Sequence, residues 1–268
     1  MSSDKFILRP SGISGFFDCQ YRWFRDNLYK PIRSVGFAAH FGTSLHKAGE
    51  TFYNECIAKQ DWLTYNSSYS DIAVETLNNI IKDDEPSDIK SIDISKAKTS
   101  LDNLAKLYTT KAKDLNYSKL PLAVEKHYTV KIDDAFSLSG TLDIVGKDYI
   151  ADIKTMNKNK SASTYIVQQA TYALLREMNK EEVKDLFIHK VITPKNEIQL
   201  DNALHKDDKV IPIKQAKDRV KVYIETIYKK VKAYQALGDE NMFIGNPTSL
   251  LCSEKYCAYF KECKYRKV

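Results

Sequence analysis

The stretch GTLDIVGKDYIADIK, residues 140–154, decides the reading of this chain. It predicts two strands joined by a turn at Lys147 and Asp148, with Gly146 easing the bend. A turn there sets Asp143 directly opposite Asp152. Opposed residues project to one face with Cβ atoms about 5 Å apart. Lys154 lies two residues past Asp152 and shares that face. Two carboxylates this close repel unless something positive lies between them, and a hard divalent cation suits their oxygens. Such an ion polarises a phosphoryl oxygen and supplies a bound water as nucleophile. Lys154 is then placed to orient or deprotonate that water and to offset charge in the transition state. The same D-x-K also describes a surface ion pair on a hairpin. The apolar neighbours Ile150, Ala151 and Ile153 separate the two readings, because they predict a strand buried on its other face and a polar triad lining a cleft. A slip of one residue in register would undo the convergence.

Outward from the hairpin, residues 122–132, 136–145 and 149–155 predict three consecutive strands rich in β-branched residues. Residues 161–178 return to helix, 185–193 predict a fourth strand and 197–200 a short fifth, and 214–237 read as a long amphipathic, lysine-rich helix. Upstream, 11–28 predict a helix capped by Ser11 or Ser14, with Ile13, Phe16, Phe17, Phe24 and Leu28 as its apolar side. A loop over 31–41 leads to a helix near 43–58, on which His46, Glu50 and Tyr53 share one face. Helices near 62–82 and 96–116 follow, separated by a polar loop over 83–91, and the tail from Asn246 is irregular. The order predicts a mixed α/β core with a helical N-terminal layer. With only 9 Gly and 7 Pro, no linker divides the chain, so it reads as one domain: a mainly helical part over 1–120, a core over 121–240 and a tail over 246–268.

The chain has 268 residues, 43% of them hydrophobic, enough for a true core. No apolar run is long enough for a membrane span, and the first residues show no secretory pattern, so a cytoplasmic setting is expected. Thiols stay reduced there. Three of the five cysteines, Cys252, Cys257 and Cys263, crowd the tail, and such clustering in a reducing compartment points to metal. The net charge of +6 permits a polyanionic partner without requiring one. No P-loop is present, so any unwinding of nucleic acid would come from a partner.

Four segments, in order, resemble the RecB-like branch of the PD-(D/E)XK nuclease superfamily. GTSLH at 42–46 with Glu50 is similar to its first motif; GTLD at 140–143 to its G-x-x-D strand; DIK at 152–154 to the (D/E)-x-K element; and QQATY at 168–172 to its Q-x-x-x-Y helix. The resemblance implies a restriction-endonuclease-like fold, a mixed central sheet flanked by helices. It implies Mg²⁺ or Mn²⁺ held by His46, Asp143, Asp152 and the Ile153 carbonyl, catalysis by Asp143, Asp152 and Lys154, and accessory roles for Glu50 and Glu125. Gln168 and Tyr172 fall on one helix face and offer an amide and a phenol to DNA phosphates. The implied activity is a metal-dependent DNA exonuclease of recombination, repair or phage replication. It would act on single strands or DNA ends, with a helicase or recombination protein as a possible partner. A non-catalytic DNA-binding or adaptor subunit that keeps the fold is the alternative.

AddB-like and CRISPR-associated RecB-like nucleases carry a 4Fe-4S cluster on one upstream and three C-terminal cysteines. The resemblance therefore extends to Cys19 with Cys252, Cys257 and Cys263. Thiolates are the usual ligands of such clusters, and ligation would clasp the tail to Cys19. The downstream spacing C-x4-C-x5-C departs from the commoner C-x2-C-x5-C and leaves a structural zinc site as the alternative. Cys56 reads as a small buried hydrophobe. Most of Tyr21, Trp23, Phe24, Tyr256, Tyr259 and Tyr265 are expected to pack around the cysteines, with stacking of one or two on single-stranded bases as the alternative. The lysines of 214–232 and 264–267 are expected to form solvated faces, with tracking of DNA as the alternative.

Overall fold

The computed structural model describes residues 5–29, 31 and 35–266. In chain order the elements are β1 (Phe6–Leu8), α1 (Pro10–Asp18), α2 (Gln20–Asn27), α3 (Phe37–Lys59), α4 (Ser67–Asp83), α5 (Ile94–Leu115), β2 (Ala123–Lys131), β3 (Phe136–Val145) and β4 (Tyr149–Met156). They continue with α6 (Ile166–Met178), β5 (Asp185–Ile192), β6 (Glu197–Asn202), a small hairpin of β7 (His205–Lys206) and β8 (Lys209–Val210), and α7 (Ile213–Leu237). Of the loop expected over 31–41, residues 32–34 lie outside the described residues, as does Lys267 of the basic tail.

The central sheet is mixed and organised by β3. One edge of β3 pairs antiparallel with β2 along nearly its whole length. The other edge is shared: β1 runs parallel to its first residues and β4 antiparallel to its last two. Beyond β4 the sheet continues with β5, parallel, and β6, antiparallel. The middle of β3 therefore has an open edge between β1 and β4, and Asp143 lies in that gap.

Helices cover both faces. Ile13, Phe16, Trp23, Phe24, Leu175 and Val220 of α1, α2, α6 and α7 form one apolar layer. Leu45, Phe52, Ala73, Leu104 and Tyr108 of α3, α4 and α5 form the other. The N-terminal helices are thus divided between the two faces and do not form one layer. With both faces covered, β4 is buried on both. Tyr149, Ala151 and Ile153 face α3–α5, whereas Ile150 lies on the Asp152 side, correcting its assignment to the opposite face. Among the described residues no helix is long and apolar enough to cross a membrane.

Several expected boundaries shift for local reasons. The helix over 11–28 is two helices, because Cys19 adopts an extended conformation (φ −154°). Neither Ser11 nor Ser14 caps it: Arg9 is the N-cap residue and Pro10, with φ already fixed, opens the helix. Phe17, expected on the apolar side, is 44% exposed and packs against the Tyr223 ring. Helix α3 begins at Phe37, within the expected loop, because the Asp88 carboxylate accepts the Phe37 N–H at 2.7 Å from 51 residues away. Helix α4 starts later than expected, where Asn66 caps it. Strand β1 and the β7–β8 hairpin were not expected, being too short to show a period.

Candidate active site

The hairpin register is the expected one: Val145 pairs with Ile150 and Ile144 with Ala151. The ladder stops there, one residue short of Asp143 and Asp152, and the strands part. The Asp143 carboxylate fills the space, and its Oδ2 accepts the Ile153 N–H at 2.8 Å. Buried Arg176, at the end of α6, pins the turn. It donates to the carbonyls of Gly146 and Tyr149, each at 2.9 Å, and its Nε donates to Glu181 at 2.8 Å. Glu181 also accepts from Tyr128 and Lys126 of β2, so one ion pair ties α6, the β3–β4 turn and β2 together.

His46 reaches the cleft from α3. A Cβ on Gly42 would sit 2.9 Å from the Thr155 hydroxyl, so this glycine allows the helix to approach β4 closely. The His46 Nε2–H donates to the Ile153 carbonyl at 2.8 Å, which turns Nδ1 towards Asp143 Oδ2 at 3.5 Å. The peptide groups of Ile153 thus aim both side chains. The carbonyl expected as a ligand is engaged by His46 and keeps a second lone pair.

Glu125 completes this group. Val124 pairs with Ile144 and Lys126 with Leu142, which leaves Glu125 facing Asp143. Its backbone is left-handed, φ +47°, an unfavourable region for a non-glycine residue. Both strands change side at this point. Tyr128, Val130, Leu138 and Leu142 face α6 and α7, whereas Val124 and Ile144 face α3–α5 although simple alternation would keep them with the first set. Ligand atoms of His46, Glu125 and Asp143 all lie within 4.8 Å of one another. Although Glu125 as a residue is exposed, loss of water around its carboxyl, followed by the Asp143 charge, pushes its pKa up to about 7.

Asp152 is 2% exposed and stands beside this group. Burial, and then the Asp143 charge, push its pKa up, while Lys154 pulls it down. Lys154 Nζ lies 2.7 Å from Asp152 Oδ2. Burial disfavours the ammonium, yet the charges of Asp152 and Asp143 prevail and hold the Lys154 pKa above its ordinary value. Gln168 Nε2 donates to Asp152 Oδ1 at 3.2 Å and to the Tyr172 hydroxyl at 3.1 Å. The amide expected to meet DNA therefore orients Asp152, and Tyr172 is 8% exposed. Gly140 makes room for the Tyr172 ring, which a Cβ would approach to 2.8 Å. Glu50 pairs with Lys47 at 2.8 Å and is not part of the His46 group.

Three residues near the site carried no signal in the sequence. Tyr165 places its ring 5.7 Å from Lys154 Nζ. Lys190 lies opposite Lys154 on the neighbouring strand and is 3% exposed. Arg176 lies in the helix expected over 161–178 and is buried. No pattern flags a charged side chain whose partners are backbone carbonyls about 30 residues away.

The donor set of imidazole, carboxylates and a carbonyl fits a hard divalent cation, whose charge would offset the repulsion that raises Glu125 and Asp152.

The cysteines meet elsewhere. Cys19, Cys252, Cys257 and Cys263 line one cavity with Tyr21, Tyr259 and Tyr265. Cys19 Sγ accepts the Asn246 N–H at 3.4 Å. Tyr21, Trp23, Phe24 and Tyr259 are buried, as expected of packing aromatics, whereas Tyr256 is 57% exposed. Cys56 is fully buried in the other layer, as expected.

No curated protein matches this chain. A solved structure from Eubacterium rectale, described as that of a candidate exonuclease, superposes with a TM-score of 0.60 over 99% of this chain and 90% of that one, at 10% identity. That likeness concerns the fold. The model of the PD-(D/E)XK nuclease superfamily matches residues 8–264, a span that includes every site residue named above. Sheet, site and family match agree, and the chain belongs to the PD-(D/E)XK nuclease superfamily.

Proposed function

We propose that this chain is a divalent-metal-dependent deoxyribonuclease of the RecB-like branch, acting as an exonuclease in recombination, repair or phage replication. The observation that carries the reading is the meeting of His46, Glu125 and Asp143 beside the Asp152–Lys154 pair in the gap between parted strands. Asp143, Asp152, His46 Nδ1 and the Ile153 carbonyl would hold Mg²⁺ or Mn²⁺, with Glu125 as an accessory ligand and Glu50 in an outer role. The ion supplies Lewis acidity and a nucleophilic water. Gln168 keeps Asp152 turned into the cleft, and Tyr172 supports Gln168. Lys154, held as an ammonium by two carboxylates, orients the water and offsets charge on the phosphate.

Cys19, Cys252, Cys257 and Cys263 are assigned to a 4Fe-4S cluster. The four line one cavity, and thiolates are the usual ligands of such a cluster; a structural zinc on the same four is the alternative. A brown preparation containing iron and sulfide supports the cluster; a colourless one containing zinc overturns it.

Incubation with DNA labelled at the 5′ or the 3′ end, in Mn²⁺, tests the activity. Wild type releases short labelled products, and Lys154→Ala loses about 10²–10³-fold in rate. If neither protein cuts any form of DNA, the chain is a binding or adaptor subunit.

A further inference from the structure

The connector between β4 and α6 carries a pattern that the nuclease reading does not use. Residues 157–161 are NKNKS, all exposed, between the buried Met156 and Ala162. The asparagines are tied down. Thr193 Oγ1 donates to Asn157 Oδ1 at 3.0 Å, Lys190 Nζ to Asn159 Oδ1 at 2.8 Å, and Asn159 Nδ2 to Gln199 Oε1 at 3.1 Å. The intervening Lys158 and Lys160 make no ion pair or hydrogen bond among the described residues. Tethered asparagines and unpaired, exposed lysines alternate, starting three residues past Lys154.

The anchor is unusual. Lys190 lies opposite Lys154 in the sheet and on the same face. It is nearly fully buried and is paired with Asp201 of β6. A buried ion pair is weak support for stability, because an apolar residue of similar volume often serves as well. What the ammonium adds here is a directed bond to Asn159, which fixes a loop that has no regular structure of its own.

We propose that residues 157–161 are a contact surface for the DNA backbone. Lys158 and Lys160 neutralise phosphates of the strand beside the one at the metal site, and Lys190 is the positioning residue that holds them there. This rests on the nuclease reading for its substrate, but it is tested by binding alone. A phosphate contact of this kind is independent of sequence and sensitive to salt.

The test is fluorescence anisotropy with a labelled single-stranded oligonucleotide and a labelled duplex, in EDTA so that neither is cut, over 50–200 mM salt. Lys158→Gln with Lys160→Gln should weaken binding about ten-fold at low salt. It should also flatten the slope of log affinity against log salt by about 1.4 on single strands and about 1.8 on duplex. Lys190→Met, shown by its melting curve to be folded, should weaken binding on its own yet add nothing to the double variant. Unchanged affinity and slope in the double variant overturn the surface, even if the protein cuts DNA. Additive loss from Lys190→Met overturns its positioning role. If wild type binds and the double variant binds less, the surface stands even where no cutting is found. If Lys190→Met does not fold, the double variant decides.

Discussion

At the parted hairpin the candidate ligands Asp143, His46 and Asp152 are aimed by regular elements. Asp143 and His46 are held by the two peptide groups of Ile153, and Asp152 by Gln168 and Lys154. At the cysteine cavity that task falls to a break between two helices and to turns of the tail, where backbone N–H groups reach sulfur, Asn246 to Cys19 and Tyr259 to Cys257. The first region is organised by the sheet before any ion arrives. The second is organised by chain that has little regular structure to hold it, and under the proposed ligation it would depend on the group its sulfurs bind. On the proposed reading metal would mean different things at the two places, chemistry in one and cohesion in the other.

The strongest way to break this comparison is at Arg176. If the sheet organises the site, Arg176→Ala should release the hairpin turn and cost about 3–5 kcal/mol in denaturant unfolding, since it breaks a buried ion pair and strands carbonyls. A variant as stable as wild type would mean that the turn holds itself. Cys257→Ser probes the other side. If the four cysteines share a group that clasps the tail, its loss should cost on the order of 3 kcal/mol, by analogy with other long-loop cross-links, or roughly 6–12 °C in melting temperature. EDTA at the carboxylate site should abolish cleavage yet move the melting temperature by no more than about 2 °C. Equal thermal shifts from the two treatments would erase the distinction.

Beneath the sheet, buried His189 accepts the Tyr108 hydroxyl at Nδ1, 2.8 Å away, and donates its Nε2–H to the Leu115 carbonyl at 3.1 Å. Burial lowers its pKa to about 4. Between that value and the ordinary value of about 6.5 the unfolded chain binds the proton and the folded chain does not. Stability from this group is thus complete above pH 6.5 and is lost as pH falls through 4, about 3 kcal/mol in all. Urea midpoints measured from pH 7 to 4 should show the loss, and His189→Gln should flatten it. The smallest effect is expected at Gln168. Gln168→Ala should slow cleavage about ten-fold through a loosened Asp152, with DNA affinity unchanged. A larger fall in affinity than in rate would return Gln168 to direct substrate contact.

The long strands and the face shared by Asp143, Asp152 and Lys154 were legible because period and turn chemistry are local. What was not legible rests on distant partners. Helix α3 begins where Asp88 caps it, β1 exists because β3 offers an open edge, and Arg176 and Lys190 are buried because carbonyls and carboxylates await them. Gln168 was placed in the right cleft, but its partner there is Asp152. The motif glycines read as part of a resemblance; in the structure Gly42 and Gly140 set how closely α3 and Tyr172 approach the strands.

Glu125 leaves one more consequence. Its left-handed backbone costs about 1–2 kcal/mol for a residue with a side chain, and glycine would carry the same turn without that cost. Glu125→Gly is thus a single change that would pull robustness and carboxylate chemistry in opposite directions. A laboratory selection for heat tolerance alone should find that change attractive, and one that also demands cutting should reject it. Position 125 is where the competing demands on this chain can be weighed against each other.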